Sequence, residues 1–260
     1  MNNVICVHWG TKYPIKFVNI LYSMCKRNIS GKFNFYCLTD ETNNAFAEHV
    51  KPIRIPDPQF DGWWNKMHLY DKRLEIDGNI LYMDLDVVIL NNLDEFFTQY
   101  RDEDFLCIRD FGQPTTTINS SVLRYNLKHH SFIYDDYMKN KSLYDPMHGD
   151  QNVITDMMLR HEMTQILPDD WTYSFKWPER GQPQKYEKYL PKKHPFKKNA
   201  KICVFHGHLI LTMLCSTNRV NGSKTTGNSH FFTKVRHNAP PNTLKIAENK
   251  GFLYQKVLVL

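Results

Sequence analysis

The chain lacks several features whose absence narrows what it can be. No window approaches the ~18 consecutive apolar residues of a membrane-spanning helix. The opening MNNVICVHWG has no basic lead, long apolar stretch or small-residue cleavage site, and so reads as a first strand rather than a signal peptide. The expectation is a soluble protein made and kept in the cytoplasm. No C-x-x-C pair occurs among the six cysteines, and Cys6, Cys37, Cys107 and Cys203 each sit inside a short apolar run. They are expected to be reduced core residues packing as small hydrophobes. There is no internal repeat and no low-complexity tract, and the basic segment 185 to 201 has no nucleic-acid signature motif and no amphipathic membrane-surface pattern, so neither a nucleic-acid nor a membrane partner is assigned.

What is present is a 260-residue chain, 42% hydrophobic, long enough for one large domain with a full core. Its net charge is +6. Much of the excess falls in Lys185, Lys188, Lys192, Lys193, Lys197, Lys198 and Lys201, interrupted by Pro191 and Pro195. This basic loop is either a solvated connection or an attractor of a polyanionic ligand or membrane surface.

Asn3 to His8 reads as a buried strand. Tyr13-Pro14 then opens a segment with Phe17, Ile20, Leu21 and Met24 at helical spacing. Strands are predicted at Phe33 to Leu38 and Val50 to Ile55, a helix at Trp63 to Leu74, and a strand at Asn79 to Met83 after the Asp77-Gly78 turn. Further strands are predicted at Phe105 to Arg109 and Lys201 to Phe205, an alternating stretch runs from Ile118 to Tyr125, and helices are predicted near His130 to Lys139 and Gln151 to His161. Alternating elements with near-continuous apolar strands predict an α/β domain whose mostly parallel sheet is covered by helices on both faces. Such sheets bind ligands beyond the carboxyl ends of their strands.

The segment ILYMDLDVVIL places Asp84 and Asp86 directly after an apolar strand. Two carboxylates two residues apart cannot both face a core, and a hard divalent cation is one way to hold them together. One could instead cap the next element while the other is solvated. Asp84-Leu85-Asp86-Val87-Val88 also fits the D-x-D-x-[TV] start of haloacid-dehalogenase-like phosphohydrolases, where the first aspartate is a nucleophile. Those enzymes carry the motif on their first strand, whereas here it follows about the fourth.

Several separated segments line up with one family: VHWGTKYP at the start, GWWNKM at 62 to 67, LYMDLDVVI at 81 to 89, INSSVLR at 118 to 124, HGDQNVI at 148 to 154 and CVFHGH at 203 to 208. Together they resemble nucleotide-diphospho-sugar transferases of the GT-A fold, close to glycosyltransferase family eight and its bacterial and phage relatives. The resemblance implies a single Rossmann-like GT-A domain over residues 1 to 210 that takes a nucleotide-sugar donor, with uridine diphosphate the implied nucleotide, and a carbohydrate-type acceptor. It implies a Mn²⁺ or Mg²⁺ ion held by Asp84, Asp86 and His206, with Leu85 between the aspartates and Gly207 allowing close backbone approach to a phosphate. Trp9-Gly10-Thr11-Lys12-Tyr13 looks like the nucleotide-binding loop, with groups around His8 and Trp9 reading the base; an ordinary β-α turn needing Gly10 for its geometry is the alternative. Asn65 and Lys66, beside Trp63 and Trp64, lie in a segment that borders the donor, and at least one of the two tryptophans is expected to be a core anchor. Asn119 and Ser120 resemble the stretch lining the sugar pocket, followed by Ser121. Asp150 and Gln151 resemble an aspartate-glutamine pair near the reaction centre, with Asp150, Gln151 and Lys66 as the implied catalytic groups, unless Asp150 is only a helix N-cap.

The resemblance stops after His208. Residues 211 to 260 form a carboxyl-terminal extension of unrecognised type, rich in Asn, Ser, Thr and Lys, whose last ten residues are apolar enough to pack on the same domain.

Overall fold

The computed structural model describes residues 1–41, 45–58, 60–177, 179–182 and 199–206. Most of the basic loop, and the extension from 211 onward, lie outside the described residues.

Strand β1 (Asn2–His8) is followed by helix α1 (Lys16–Asn28), β2 (Phe33–Thr39) and β3 (Val50–Arg54). Two 3-10 segments (Gly62–Tyr70 and Lys72–Leu74) lead to β4 (Asn79–Met83), the short β5 (Val87–Ile89) and α2 (Glu95–Thr98). Then come β6 (Phe105–Arg109), β7 (Ile118–Asn126), α3 (Leu127–His130), α4 (Phe132–Lys139), α5 (Lys141–Tyr144) and α6 (Asp150–Met158). The described chain ends with β8 (Thr164–Ile166), β9 (Thr172–Ser174) and β10 (Ile202–Val204).

Seven strands form the central sheet in the order β3-β2-β1-β4-β7-β6-β8. Every neighbouring pair is parallel except β4 with β7 and β7 with β6. The mostly parallel sheet expected from the sequence is therefore present, with β7 reversed inside it. A second, three-stranded sheet has the order β5-β10-β9. The chain leaves β1 toward β2 and β3, then returns to β4 on the other side of β1. That reversal opens a crevice beyond the ends of β1 and β4.

Alternation along the strands explains how both faces are buried. In β1, Val4 and Cys6 face one core while Ile5 and Val7 face the other; in β4, Leu81 and Met83 face the first, Ile80 and Tyr82 the second. Helix α1 seals the first core through Phe17, Val18, Leu21 and Met24, joined by the small sheet. The second is closed by Met67, Leu69 and Tyr70, by Ile133 and Tyr137 of α4, and by Val153 and Ile154 of α6. The five cysteines among the described residues are free and buried. No described helix is long and apolar enough to cross a membrane.

Trp63 to Leu74 departs from the helix read in the sequence by winding as 3-10. Met67, His68, Leu69 and Tyr70 are buried in succession, so no single amphipathic stripe organises an α-helix there. The segment near His130 to Lys139 divides into α3 and α4 at Ser131, and α6 stops at Met158, short of His161.

Candidate active site

A cavity of about 710 Å³ opens over the crevice between β1 and β4. Its floor is the turn after β4. The Asp84 N–H donates to the Ser121 carbonyl at 2.9 Å, and the Phe205 N–H donates to the Asp86 carbonyl at 2.8 Å. The acidic turn is thus clamped between the large sheet and the end of β10.

Asp84 accepts from Lys66 Nζ at 2.9 Å and from the Tyr82 hydroxyl, and the same ammonium stands 3.6 Å from Asp150. Burial works to raise the Asp84 carboxyl, but Lys66 and then Tyr82 outweigh it and hold the group below its ordinary range. Burial likewise lowers Lys66, and Asp150 followed by Asp84 overcomes it, so the ammonium titrates above the usual lysine range. Burial leaves Asp150 raised despite Lys66.

Asp86 differs. Its Oδ2 accepts from the neutral Tyr13 hydroxyl at 2.9 Å. Burial first, then the Asp84 charge, push its carboxyl from 3.8 up to about 7. Four carboxylates (Asp84, Asp86, Asp110, Asp150) and two ammonium groups (Lys12, Lys66) line the cavity. Its wall is therefore acidic.

Gln151 is held from both ends. Its Nε2 donates to Asp110 Oδ2 at 3.2 Å, while its Oε1 accepts from Asn119 Nδ2 at 3.1 Å and from the Ser120 N–H at 3.4 Å. Asn119 turns back to accept from the Ser121 N–H at 3.0 Å. The register shift between Cys107 and Ile108 pairs Ile108 with Asn119, which lifts residues 120 to 122 away from β6. Asp110 also accepts from the N–H groups of Gly112 and Gln113, both at 2.8 Å, which shapes the loop between β6 and β7.

His206 follows Phe205, whose N–H bonds Asp86, and also lines the cavity. Its ring stacks on Phe111 with centroids 5.6 Å apart, meets Trp177 edge-on at 4.6 Å, and places Nε2 2.7 Å from Ser174 Oγ. Burial, with Lys176 nearby, lowers its pKa to about 4, so the imidazole is neutral. Among the described residues no three His, Cys, Asp or Glu side chains are grouped as a ready metal cage. The donor chemistry of the turn nonetheless fits a hard cation: two carboxylates two residues apart, of which Asp86 is in no ion pair among the described residues, and a neutral imidazole on the same cavity.

Of the residues singled out in the sequence, His8, Trp9, Lys12, Tyr13, Lys66, Asp84, Leu85, Asp86, Asn119, Ser120, Asp150, Gln151 and His206 share this cavity. Gly10, Thr11 and Asn65 do not line it. Gly10 takes a left-handed φ of 59° and donates its N–H to Asp40 at 3.0 Å, so its turn geometry accounts for the glycine. Asn65 faces its own loop: it accepts from the Phe60 N–H at 3.0 Å and donates to the Phe60 and Gly62 carbonyls. His8 also does structural work, with Nε2 2.8 Å from the Tyr13 carbonyl. Asp150 is not the cap of α6; Gly149 occupies that position, and the carboxylate faces Lys66 instead. Trp64 is the core anchor, stacked on Tyr137 at 5.7 Å, while Trp63 is open to the cavity. Gly207 and the extension lie outside the described residues.

Sequence reasoning missed Tyr82, Asp110, Phe111, Ser174 and Trp177. Only Tyr82 carried a signal: two residues before Asp84 on an extended strand, it shares that aspartate's face.

No family model matches the chain, and no curated protein matches it by sequence. Among solved structures it superposes on an active-site mutant of the glycosyltransferase LgtC with a TM-score of 0.58 at 11% identity, covering 79% of this chain and 87% of that one. It superposes on the glycosyltransferase GlyE of Streptococcus pneumoniae TIGR4 with a TM-score of 0.60 at 14% identity, covering 80% of this chain and 56% of GlyE. Both likenesses are of fold, and the chain has the α/β architecture of GT-A glycosyltransferases.

Proposed function

We propose that this protein transfers a sugar from a nucleotide-diphosphate donor, with uridine diphosphate the expected nucleotide, to a carbohydrate-type acceptor. The carrying observation is electrostatic. The cavity over the β1 and β4 ends is walled by more carboxylates than ammonium groups, and Asp86 is raised to about 7 beside Asp84. Such a wall repels a diphosphate on its own. It becomes a diphosphate site when Asp84 and Asp86 hold a Mn²⁺ or Mg²⁺ ion, with His206 as the further ligand once it gives up Ser174. When bound, the ion supplies charge compensation for the donor diphosphate.

The chain's own groups account for the rest. Cleaving the bond from the anomeric carbon to phosphate builds negative charge on the leaving diphosphate and positive charge on the sugar. Lys66, a permanent cation beside Asp84, faces the first. The Asp150 carboxylate faces the second, and Gln151, fixed by Asp110, Asn119 and Ser120, orients the sugar. Retention of configuration is the proposed outcome. The phosphohydrolase alternative expects its D-x-D motif on the first strand, whereas Asp84 follows β4.

The test is calorimetric titration with uridine, guanosine, cytidine and thymidine diphosphates, each with and without Mn²⁺. The expected result is tight binding of one nucleotide only with the metal, abolished in Asp86→Ala. No binding of any nucleotide would overturn the proposal.

A further inference from the structure

Of the large apolar side chains among the described residues, Trp63 stands out: its exposure is 50%, yet it lines the cavity. The neighbouring Trp64 is turned inward onto Tyr137. The 3-10 winding of Gly62–Tyr70 explains the division. With three residues per turn, positions i and i+3 eclipse, so Trp63, Lys66 and Leu69 stand above one another on one edge. That edge runs from solvent at Trp63, through the cavity wall at Lys66, to the core at Leu69.

The indole is also braced. Gly149 has an extended backbone, with φ of 173°, that any residue adopts. A Cβ there would nevertheless come 3.0 Å from Trp63 Nε1 and 3.4 Å from its Cδ1. The space a side chain would fill at position 149 is taken by the indole edge, one residue before Asp150. An aromatic side chain is thereby set against the backbone just before Asp150, on the cavity that Asp150 and Lys66 also line.

We infer that Trp63 is the platform on which the acceptor sugar stacks, and that the acceptor is a pyranoside presenting a flat C–H face. The C–H bonds on one side of a pyranose ring carry slight positive charge and match the negative face of the indole, while the ring hydroxyls stay toward polar groups. His148 and Asn152, on either side of Gly149-Asp150-Gln151, line the same region and supply hydrogen-bonding groups. Stacking on Trp63 sets an acceptor hydroxyl beside Asp150. This rests on the transferase reading above and adds to it a residue and a ligand class.

The experiment is saturation-transfer NMR on the full chain with diamagnetic Mg²⁺ and the nucleoside diphosphate that binds, using methyl β-glucopyranoside, methyl β-galactopyranoside and methyl α-mannopyranoside as probes. At least one glycoside is expected to show transfer to its ring C–H protons. Its affinity should weaken at least tenfold in Trp63→Ala and within about threefold in Trp63→Phe, with nucleotide affinity unchanged in both. If the nucleotide binds but no glycoside does, or Trp63→Ala binds it as wild type does, the platform is refuted and the transferase reading survives. If no nucleotide binds the wild type, the transferase reading falls and the platform with it.

Discussion

Asp86→Asn is expected to stabilise the metal-free protein at the same time as it disables it. The carboxyl titrates near 7 in the folded chain against an ordinary 3.8, so the folded state holds this proton more tightly than the unfolded state does. Stability from this group is greatest below about pH 4 and falls as pH rises toward 7 and beyond. A pKa difference of this size corresponds to about 4 kcal/mol when fully developed at pH 8. Asparagine keeps an oxygen for the Tyr13 hydroxyl and removes the charge, so about 2–4 kcal/mol should be recovered at pH 8 and about 1–2 kcal/mol at pH 5. For a chain of this length that is a rise in Tm of roughly 4–16 °C. Thermal melts in chelator at pH 5 and pH 8, with and without added Mn²⁺, measure it. The wild type should gain stability from Mn²⁺ at pH 8, and Asp86→Asn should not. A variant no more stable than wild type at pH 8, or equally stabilised at both pH values, would refute the electrostatic reasoning.

Lys66→Met leaves Asp84 and Asp150 without their shared cation; a loss of about 3 kcal/mol at pH 8, smaller at pH 5, is expected in urea titrations, together with weaker nucleotide binding by calorimetry. Gln151→Glu sets a carboxylate against Asp110, where the amide now donates at 3.2 Å. Turnover of the donor should fall at least about 100-fold while metal-dependent nucleotide affinity stays within a few fold, since the loss is of transition-state and not ground-state contact. Arg124→Leu removes a fully buried guanidinium that donates to the Arg101 and Asp104 carbonyls at 2.7 and 3.0 Å; denaturation should show a loss of about 2–4 kcal/mol, with nucleotide binding unchanged.

Much of this arrangement was legible in the sequence because it is local. Apolar runs ending in Asp84 and His8 announce strands whose ends meet the crevice, and the alternation of Val4 and Cys6 against Ile5 and Val7 follows from strand geometry alone. What escaped is long-range. Asp110 reaches Gln151 across 41 positions, and Ser174 reaches His206 across 32. No spacing rule connects such pairs until the sheet order is known. The Trp63 to Leu74 segment misled for another reason. Apolar residues at 67, 69 and 70 suit an α-helical face, but burial of His68 and Asn65 as well leaves no polar side to point outward.

The reversal of β7 has a consequence for how such a protein can change. Because β7 runs against its neighbours, its beginning lies at the ligand end of the sheet, where β6 finishes. The two are joined there by a short turn carrying Asp110, Phe111, Gly112 and Gln113 over the cavity. A purely parallel strand would have to be reached by a crossover packed on a sheet face, and altering that connection would disturb a core. A hairpin tip can lengthen, shorten or exchange residues while both strands keep their partners. The sheet thus offers one interchangeable fitting at its rim, where one wall of the cavity can vary without rebuilding the frame.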